Sequence, residues 1–390
     1  MRSMNFSRLK MSATAAGERF FGTIARGCII FSDRCVESRE GRPPVAPTRK
    51  TRRRELKKLR MRTKLIQALS LYLFVGWSGS YCRAAEAPSK AVFAYGAINA
   101  YMTSIWVARE QGLFAKHNVE LEPVFIIASR AAQAMLAGEV HVGLIGPTHV
   151  ANAVAAGGDL VMFMGNQNSV RYQLVVHPSI KRADDLKGKR VAIGASAGGL
   201  ASLGAHVALD HLGLNPKRDN ITLLLTGEEP VRVAALQTGN AQATLLAPEM
   251  TKQIGAQGFA VLVDMGQLNL PFQASGMVTT RKLLRNDPMM VERVGRATVD
   301  AIHFIRNAVN KKTVIQTMVK QLRMASAERA EPFYAQLVEE LPRNICPTTT
   351  GVRSILKLMV ELGINPKAAA LKVEDVIDLG LCKRLGGDGK

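Results

Sequence analysis

Between residues 86 and 280 the apolar positions fall into two textures that take turns. Short, mostly apolar runs fill 91–95, 119–127, 140–145 and 160–164, then 190–194, 221–225 and 243–246. Runs of this length, bounded by Gly, Pro or Ser, read as buried strands. Between them the apolar residues recur every three or four positions, the spacing of one helix face. The punctuation agrees. Thr103 is placed to cap a helix that Gly112 ends, and Ser129 to cap the next, which Gly138 ends. Pro147 suits the first position of a third helix, where a missing N–H costs nothing. Strands alternating with helices through short loops predict an α/β chain with parallel sheets covered on both faces. From Arg281 onward the strand texture stops. A long amphipathic helix is expected from Asn286-Asp287-Pro288, carrying Val291, Val294, Val299, Ile302 and Ile305, and more helix follows beyond it. This helical tail needs an apolar surface to cover, and the first set of strands is expected to provide it.

The pattern is also duplicated. The punctuation of Gly138, Leu144, Pro147 and Gly157 returns 101 positions later at Gly239, Leu245, Pro248 and Gly258, and Gly112-Leu113 returns as Gly213-Leu214. A constant offset without slip indicates two copies of one structural unit. Two copies are too few for a solenoid and suit two similar lobes.

Composition is that of a soluble globular protein: 390 residues, 47% hydrophobic and 21% charged. The net charge of +21 suggests nucleic acid until its location is considered. Residues 1–60 hold 16 Lys+Arg against 5 Asp+Glu, whereas residues 86–390 hold 33 against 26. The body is only mildly basic, which suits an anionic ligand, and no aromatic-basic stripe speaks for nucleic acid. Residues 1–60 are expected to be a disordered basic segment, with Met61 a second candidate start. Arg62 and Lys64, the apolar stretch 65–75 and the small residues Ala84, Ala85 and Ala87 have the layout of a secretory signal peptide over 61–85. The alternatives are an uncleaved anchor, a twin-arginine variant at Arg52-Arg53 and a lipid-anchored Cys82 on the outer face of the membrane. Of five cysteines only Cys346 and Cys382 lie in the body, and export permits a bridge between them. There is no CxxC pair and no metal-ligand spacing, so no cofactor or metal is expected.

The residues VAREQGLFAKHNVELEPVFI at 107–126, MLAGEVHVG at 135–143, DDLKGKRVAIGASAGG at 184–199, EPVRVAALQTGNAQATLLAPE at 229–249 and SGMVTTRKLL at 275–284 together resemble the nitrate/sulfonate/taurine class of ABC-transporter substrate-binding proteins. The resemblance implies a type II periplasmic binding-protein fold, in which two doubly wound lobes are joined by two crossovers, here near 165–173 and 268–275, with a helical C-terminal region. The expected division is 86–168 for the first part of lobe 1, 169–270 for lobe 2, and 271–390 for the return to lobe 1 with the C-terminal helices. The implied role is a periplasmic monomer that catches a small anionic organic solute and presents it to an ABC permease in the inner membrane. His141 and Gln242 stand where the family usually has Asp, and local repacking is expected there.

In a doubly wound sheet, ligands bind beyond the carboxyl ends of the strands, where helix N-termini offer unpaired N–H groups. The loops there nominate Asn99, Tyr101, Ser129, Arg130, Thr148, Ser196, Gly198, Gly199 and Thr226. Ser196-Gly198-Gly199 is either a close backbone approach to a ligand or a plain tight turn. Thr148 and Ser129 offer hydroxyls to a ligand or to their own helices. Arg130 is either a bidentate partner for an oxyanion or a solvated surface residue, and Arg171 is a weaker version of the same idea. Glu228, Glu229 and Glu249 begin helices, where acids belong for dipole reasons. Two other roles compete: an enzyme on the same fold (thiamine-pyrimidine or desulfinase-like), against which the first lobe's lack of cysteine argues, and a ligand sensor for a membrane signalling partner.

Overall fold

A computed structural model of the chain describes residues 87–386, with isolated positions 57 and 61. The expectations for the basic segment, the signal peptide, the twin-arginine variant and Cys82 lie outside the described residues.

The first sheet holds β1 (Ser89–Tyr95), β2 (Val119–Phe125), β3 (Val142–Ile145), β4 (Leu160–Gln167) and β10 (Ser275–Thr280). The second holds β5 (Gln173–Val176), β6 (Arg190–Ile193), β7 (Thr222–Leu225), β8 (Ala243–Leu246) and β9 (Ala260–Asp264). Their strand orders, β2-β1-β3-β10-β4 and β7-β6-β8-β5-β9, are the same topology twice. The chain leaves the first lobe between β4 and β5 and returns before β10. Each sheet therefore contains one strand that arrives from the other lobe. Those visitors run antiparallel to both neighbours: β10 against β3 and β4, β5 against β8 and β9. The purely parallel sheets expected from the alternation are corrected by one strand in each lobe, because a crossing chain enters its new sheet from the opposite end.

Helices α1 (Thr103–Glu110), α2 (Leu113–Lys116), α3 (Ala128–Ala137) and α4 (Pro147–Ala155) connect the first set of strands, and α5 (Leu200–His211), α6 (Glu229–Gln237) and α7 (Pro248–Gly255) connect the second. The duplicated punctuation has one conformation in both copies. Gly112 and Gly213, Gly138 and Gly239, Gly157 and Gly258 all have φ between +66° and +88°. A side chain there would strain the backbone, so glycine ends the element at the same point twice. Pro147 and Pro248 both open their helices. His141 and Gln242 also act alike: His141 Nδ1 accepts from the Val92 N–H at 3.0 Å, and Gln242 Oε1 from the Arg190 N–H at 3.2 Å. Each side chain supplies an acceptor for a strand N–H, as a carboxylate would there.

The C-terminal region follows as α8 (Arg281–Asn286), α9 (Pro288–Arg306), α10 (Lys311–Gln321), α11 (Ala327–Glu340), α12 (Thr349–Glu361), α13 (Val373–Val376) and α14 (Leu379–Arg384). Helix α9 starts where expected: Asp287 accepts from the Met290 N–H at 3.0 Å, and Pro288 is the first helical residue. Its buried stripe, Val291, Val294, Ala301, Ile302 and Ile305, packs with Phe93, Trp106 and Val107 of the first lobe. Burying a side chain of this size stabilises by about 1.5–3 kcal/mol. Val299, expected on this stripe, is only partly buried at its edge. A disulfide joins Cys346 to Cys382 with an S–S distance of 2.07 Å, tying the loop before α12 to α14. Among the described residues no helix is long and apolar enough to cross a membrane.

Candidate functional site

A cavity of about 250 Å³ lies between the two lobes, at the carboxyl ends of both sets of parallel strands. Four helices aim their first turns at it: α3 and α4 from the first lobe, α5 and α6 from the second. Their N-cap residues are Ile127, Gly146, Gly199 and Glu228, and none makes a side-chain cap bond. Helices elsewhere are of both kinds: Thr280, Asp287 and Asp378 cap α8, α9 and α14, whereas α7, α10, α11 and α12 also lack a side-chain cap, so it is the convergence of the four on one cavity that sets them apart. Around the cavity the first-turn N–H groups are left without capping side chains, together with the positive ends of the helix dipoles. Such ends bind oxyanions.

Of the nominated residues, Asn99, Tyr101, Ser129, Thr148, Ser196, Gly198 and Gly199 line this cavity. Arg130 and Thr226 do not. Arg130 is exposed one residue further along α3, on the side turned to solvent, and the Thr226 hydroxyl donates to the Leu224 carbonyl at 3.0 Å. Two capping expectations are also corrected. Thr103 lies inside α1 with its hydroxyl buried and unpartnered; Asn99 caps the preceding 3-10 turn instead, accepting from the Tyr101 N–H at 3.1 Å. Ser129 sits in the first turn of α3 rather than before it.

Thr148 also makes a contact between the lobes. It is 3% exposed, and its hydroxyl donates to the Gly198 carbonyl at 2.7 Å. That bond runs from one lobe to the other, so the lobes touch across the cavity. Ser196 turns its own carbonyl inward, accepting from Ser202 Oγ at 2.6 Å and from the Gly199 N–H at 3.1 Å.

The cation that reaches the cavity is Arg232, a residue not nominated; an acid, Glu228 at the start of α6, lines it as well. It stands in the first two turns of α6, four residues before the buried Leu236, and is itself 4% exposed. Nε and Nη2 donate to the Leu245 carbonyl at 3.3 and 3.1 Å, and Nη1 to the Gly227 carbonyl at 2.7 Å. A guanidinium has five N–H donors, so two remain for a guest. The sequence carried a signal for it: an arginine on the helix stripe otherwise occupied by Val233 and Leu236. Nearby Glu229 is structural. It accepts from the Ala247 N–H at 2.6 Å and so pins α7 to α6, while burial pushes its carboxyl upward.

Burial also sets the other titrating groups. It holds the His149 imidazole below its ordinary range, so the ring is neutral at pH 7. Tyr172 is pushed up to about 12 by burial and by the neighbouring carboxylates of Glu229, Glu228 and Glu249. Burial, then the Glu340 carboxylate, keep the Tyr101 phenol well above its ordinary range, so it remains a donor. The arrangement can hold a small polar guest by backbone N–H groups, one guanidinium and a few hydroxyls. Among the described residues no group of three or more His, Cys, Asp or Glu is placed to hold a metal ion.

The sequence model of the NMT1/THI5-like family matches residues 99–309, more than half of the chain. The chain belongs to the NMT1/THI5-like family. No curated protein sequence matches it. Solved structures match this NMT1/THI5-like chain as folds. The periplasmic nitrate-binding protein NrtA from Synechocystis PCC 6803 aligns with TM-score 0.64 at 14% identity, over 77% of this chain and 88% of its own. The alkanesulfonate-binding protein SsuA from Xanthomonas axonopodis pv. citri, bound to MOPS, aligns with TM-score 0.60 at 19% identity, over 76% and 100%. The periplasmic aliphatic sulphonate binding protein SsuA from Escherichia coli aligns with TM-score 0.58 at 21% identity, over 75% and 92%. The NMT1/THI5-like chain thus has the fold of the periplasmic binding proteins.

Proposed function

We propose that this protein is a periplasmic solute-binding protein. It captures a small anionic organic solute, a sulfonate, carboxylate or similar, between its lobes and delivers it as a monomer to an ABC permease in the inner membrane. The observation that carries the reading is the convergence of four helix N-termini, left without side-chain caps, on one interlobe cavity that also holds Arg232. Backbone N–H groups bind an oxyanion without needing a matching positive side chain for each oxygen. Binding rather than catalysis suits the same residues. Cys346 and Cys382 are committed to a disulfide, and the cavity's one imidazole, His149, has burial rather than a carboxylate partner behind its shift.

The test is a thermal-unfolding panel on the full chain with sulfonates, carboxylates, phosphonates and nitrate. A binder present at a hundred times its Kd stabilises by about 2.7 kcal/mol. Arg232→Gln, with its fold checked by circular dichroism, is expected to weaken that response at least tenfold in Kd. A panel without any shift would remove the anion reading.

A further inference from the structure

A second contact between the lobes lies beside the cavity, and it is built from carboxylates. Glu340 ends α11, in the helical layer over the first lobe, and its side chain is fully buried. It accepts from the Tyr101 hydroxyl and from Gln336 Nε2 at 2.8 Å, and lies 3.5 Å from Arg171 Nε. Glu249 comes from the second lobe, in the first turn of α7. Its Oε2 is buried and has no hydrogen-bond partner.

The groups that face Glu249 give it little reason to be charged. From α11 the Gln336 amide is its hydrogen-bonding neighbour and the Glu340 charge acts on it, and from α6 the Glu229 charge does the same. The phenols of Tyr101 and Tyr172 also feel its charge. Of the cations in this region, Arg171 pairs with Glu339 at 3.0 Å and with Glu340, and Arg232 gives three of its N–H groups to two backbone carbonyls; neither is hydrogen-bonded to Glu249. A carboxylate with one oxygen buried and unpartnered, acted on by other carboxylates, is driven toward its neutral form.

We propose that Glu249 takes up a proton when the lobes close and releases it when they part, so that solute capture is linked to proton binding. Closure is what brings α11 and α7 together. When the lobes part, water reaches Glu249 and the repulsion from Glu340 falls away. The titration agrees in sign. Burial first, then Glu229 and Glu340, push the closed-state carboxyl from an ordinary 4.5 up to about 7, against the Gln336 amide and the residue's own N–H. A group raised in the closed form favours closure fully below its open-state value and loses that contribution as pH rises through the closed-state value. Closure, and with it affinity, is therefore highest below about pH 4.5, falls by up to tenfold per pH unit to about pH 7, and is flat above.

The experiment needs no solute, so its outcome is independent of the anion reading. An ideal Cβ at Gly198 would lie 3.7 Å from Thr148 Cβ, within the Cβ–Cβ range of a disulfide. Thr148→Cys with Gly198→Cys, in a full chain with Cys28, Cys35 and Cys82 changed to Ser, locks the lobes shut. Carboxyl carbon NMR follows the titration of Glu249, assigned by the loss of its signal in Glu249→Gln. In the locked chain the midpoint is expected near pH 7, and in the unlocked chain at least one pH unit lower. The same midpoint in both, or an ordinary carboxylate midpoint in the locked chain, overturns the proposal. A second readout is the fraction locked in a glutathione buffer. At pH 4 the Glu249→Gln background should lock about as readily as the parent; at pH 8 it should lock at least tenfold more readily. Equal pH dependence in the two backgrounds also overturns it.

Discussion

The most exacting test of the architecture is Gln273→Met. Gln273 is completely buried in the segment by which the chain returns to the first lobe. Its amide nitrogen donates to the Ser275 carbonyl at 2.9 Å in the return strand, and to the Gln167 carbonyl at 3.2 Å and Asn168 Oδ1 at 2.9 Å where the chain leaves. Its amide oxygen accepts from the Thr348 N–H at 2.7 Å and the Thr348 hydroxyl at 3.2 Å. One side chain therefore fastens both crossovers to each other and to the loop before α12. Methionine fills nearly the same volume and makes none of these bonds, so the perturbation is polar and not steric. A net hydrogen bond is worth about 1 kcal/mol, and a buried donor left orphaned costs about 1–3 kcal/mol. Losing this set, with the Thr348 N–H stranded, should cost about 4 kcal/mol, a large part of a typical 5–15 kcal/mol of total stability. Urea unfolding followed by circular dichroism should show the midpoint fall with the slope unchanged. A loss under about 1 kcal/mol would refute the claim that Gln273 organises the hinge, since even one orphaned buried donor costs that much.

Thr148→Val keeps the shape at the α4 terminus and removes the interlobe hydrogen bond. Closed-state stability should fall by about 1 kcal/mol, read as roughly fivefold weaker binding of any solute found in the panel, by calorimetry. Replacing Cys346 and Cys382 together by Ser opens a loop with a sequence separation of 36. Chain entropy puts the loss near 4 kcal/mol, checked by urea unfolding against the oxidised parent.

The sequence made the periodic features legible and left the tertiary ones hidden. Gly138 and Gly239 could be matched because a positive φ at a helix end admits few residues but glycine, so the constraint is written at a single position. Asp287-Pro288 announced α9 for the same local reason. The direction of β5 and β10 was not written locally. Their apolar residues look like those of any buried strand, and it is the route of the chain between lobes that makes them antiparallel. Arg130 and Arg232 are the corresponding pair at the site. A cleft loop favoured Arg130, but one residue along a helix turns a side chain by about 100°, and that carried it to solvent. Arg232 is hidden in the sequence because an arginine on an apolar stripe looks like a surface interruption. Only the carbonyls of Leu245 and Gly227, from neighbouring segments, make its burial affordable.

The duplication gives the two lobe contacts a common origin in geometry. Thr148 and Glu249 occupy the same place in the two copies, directly after the proline that opens α4 and α7. In a doubly wound lobe that position stands beyond the end of a strand, so it faces whatever lies across the cleft. In one copy the side chain is a hydroxyl that donates to the Gly198 carbonyl of the opposite lobe. In the other it is a carboxyl that confronts Gln336 and Glu340 across the interface. Equivalent positions thus meet opposite lobes by different chemistry. The first bond is indifferent to pH, because neither partner titrates; the second contact is not. A closure made from both should keep a pH-independent part, removed by Thr148→Val, and a pH-dependent part, removed by Glu249→Gln. Since Thr148 and Glu249 contact different residues, their effects on closure should add.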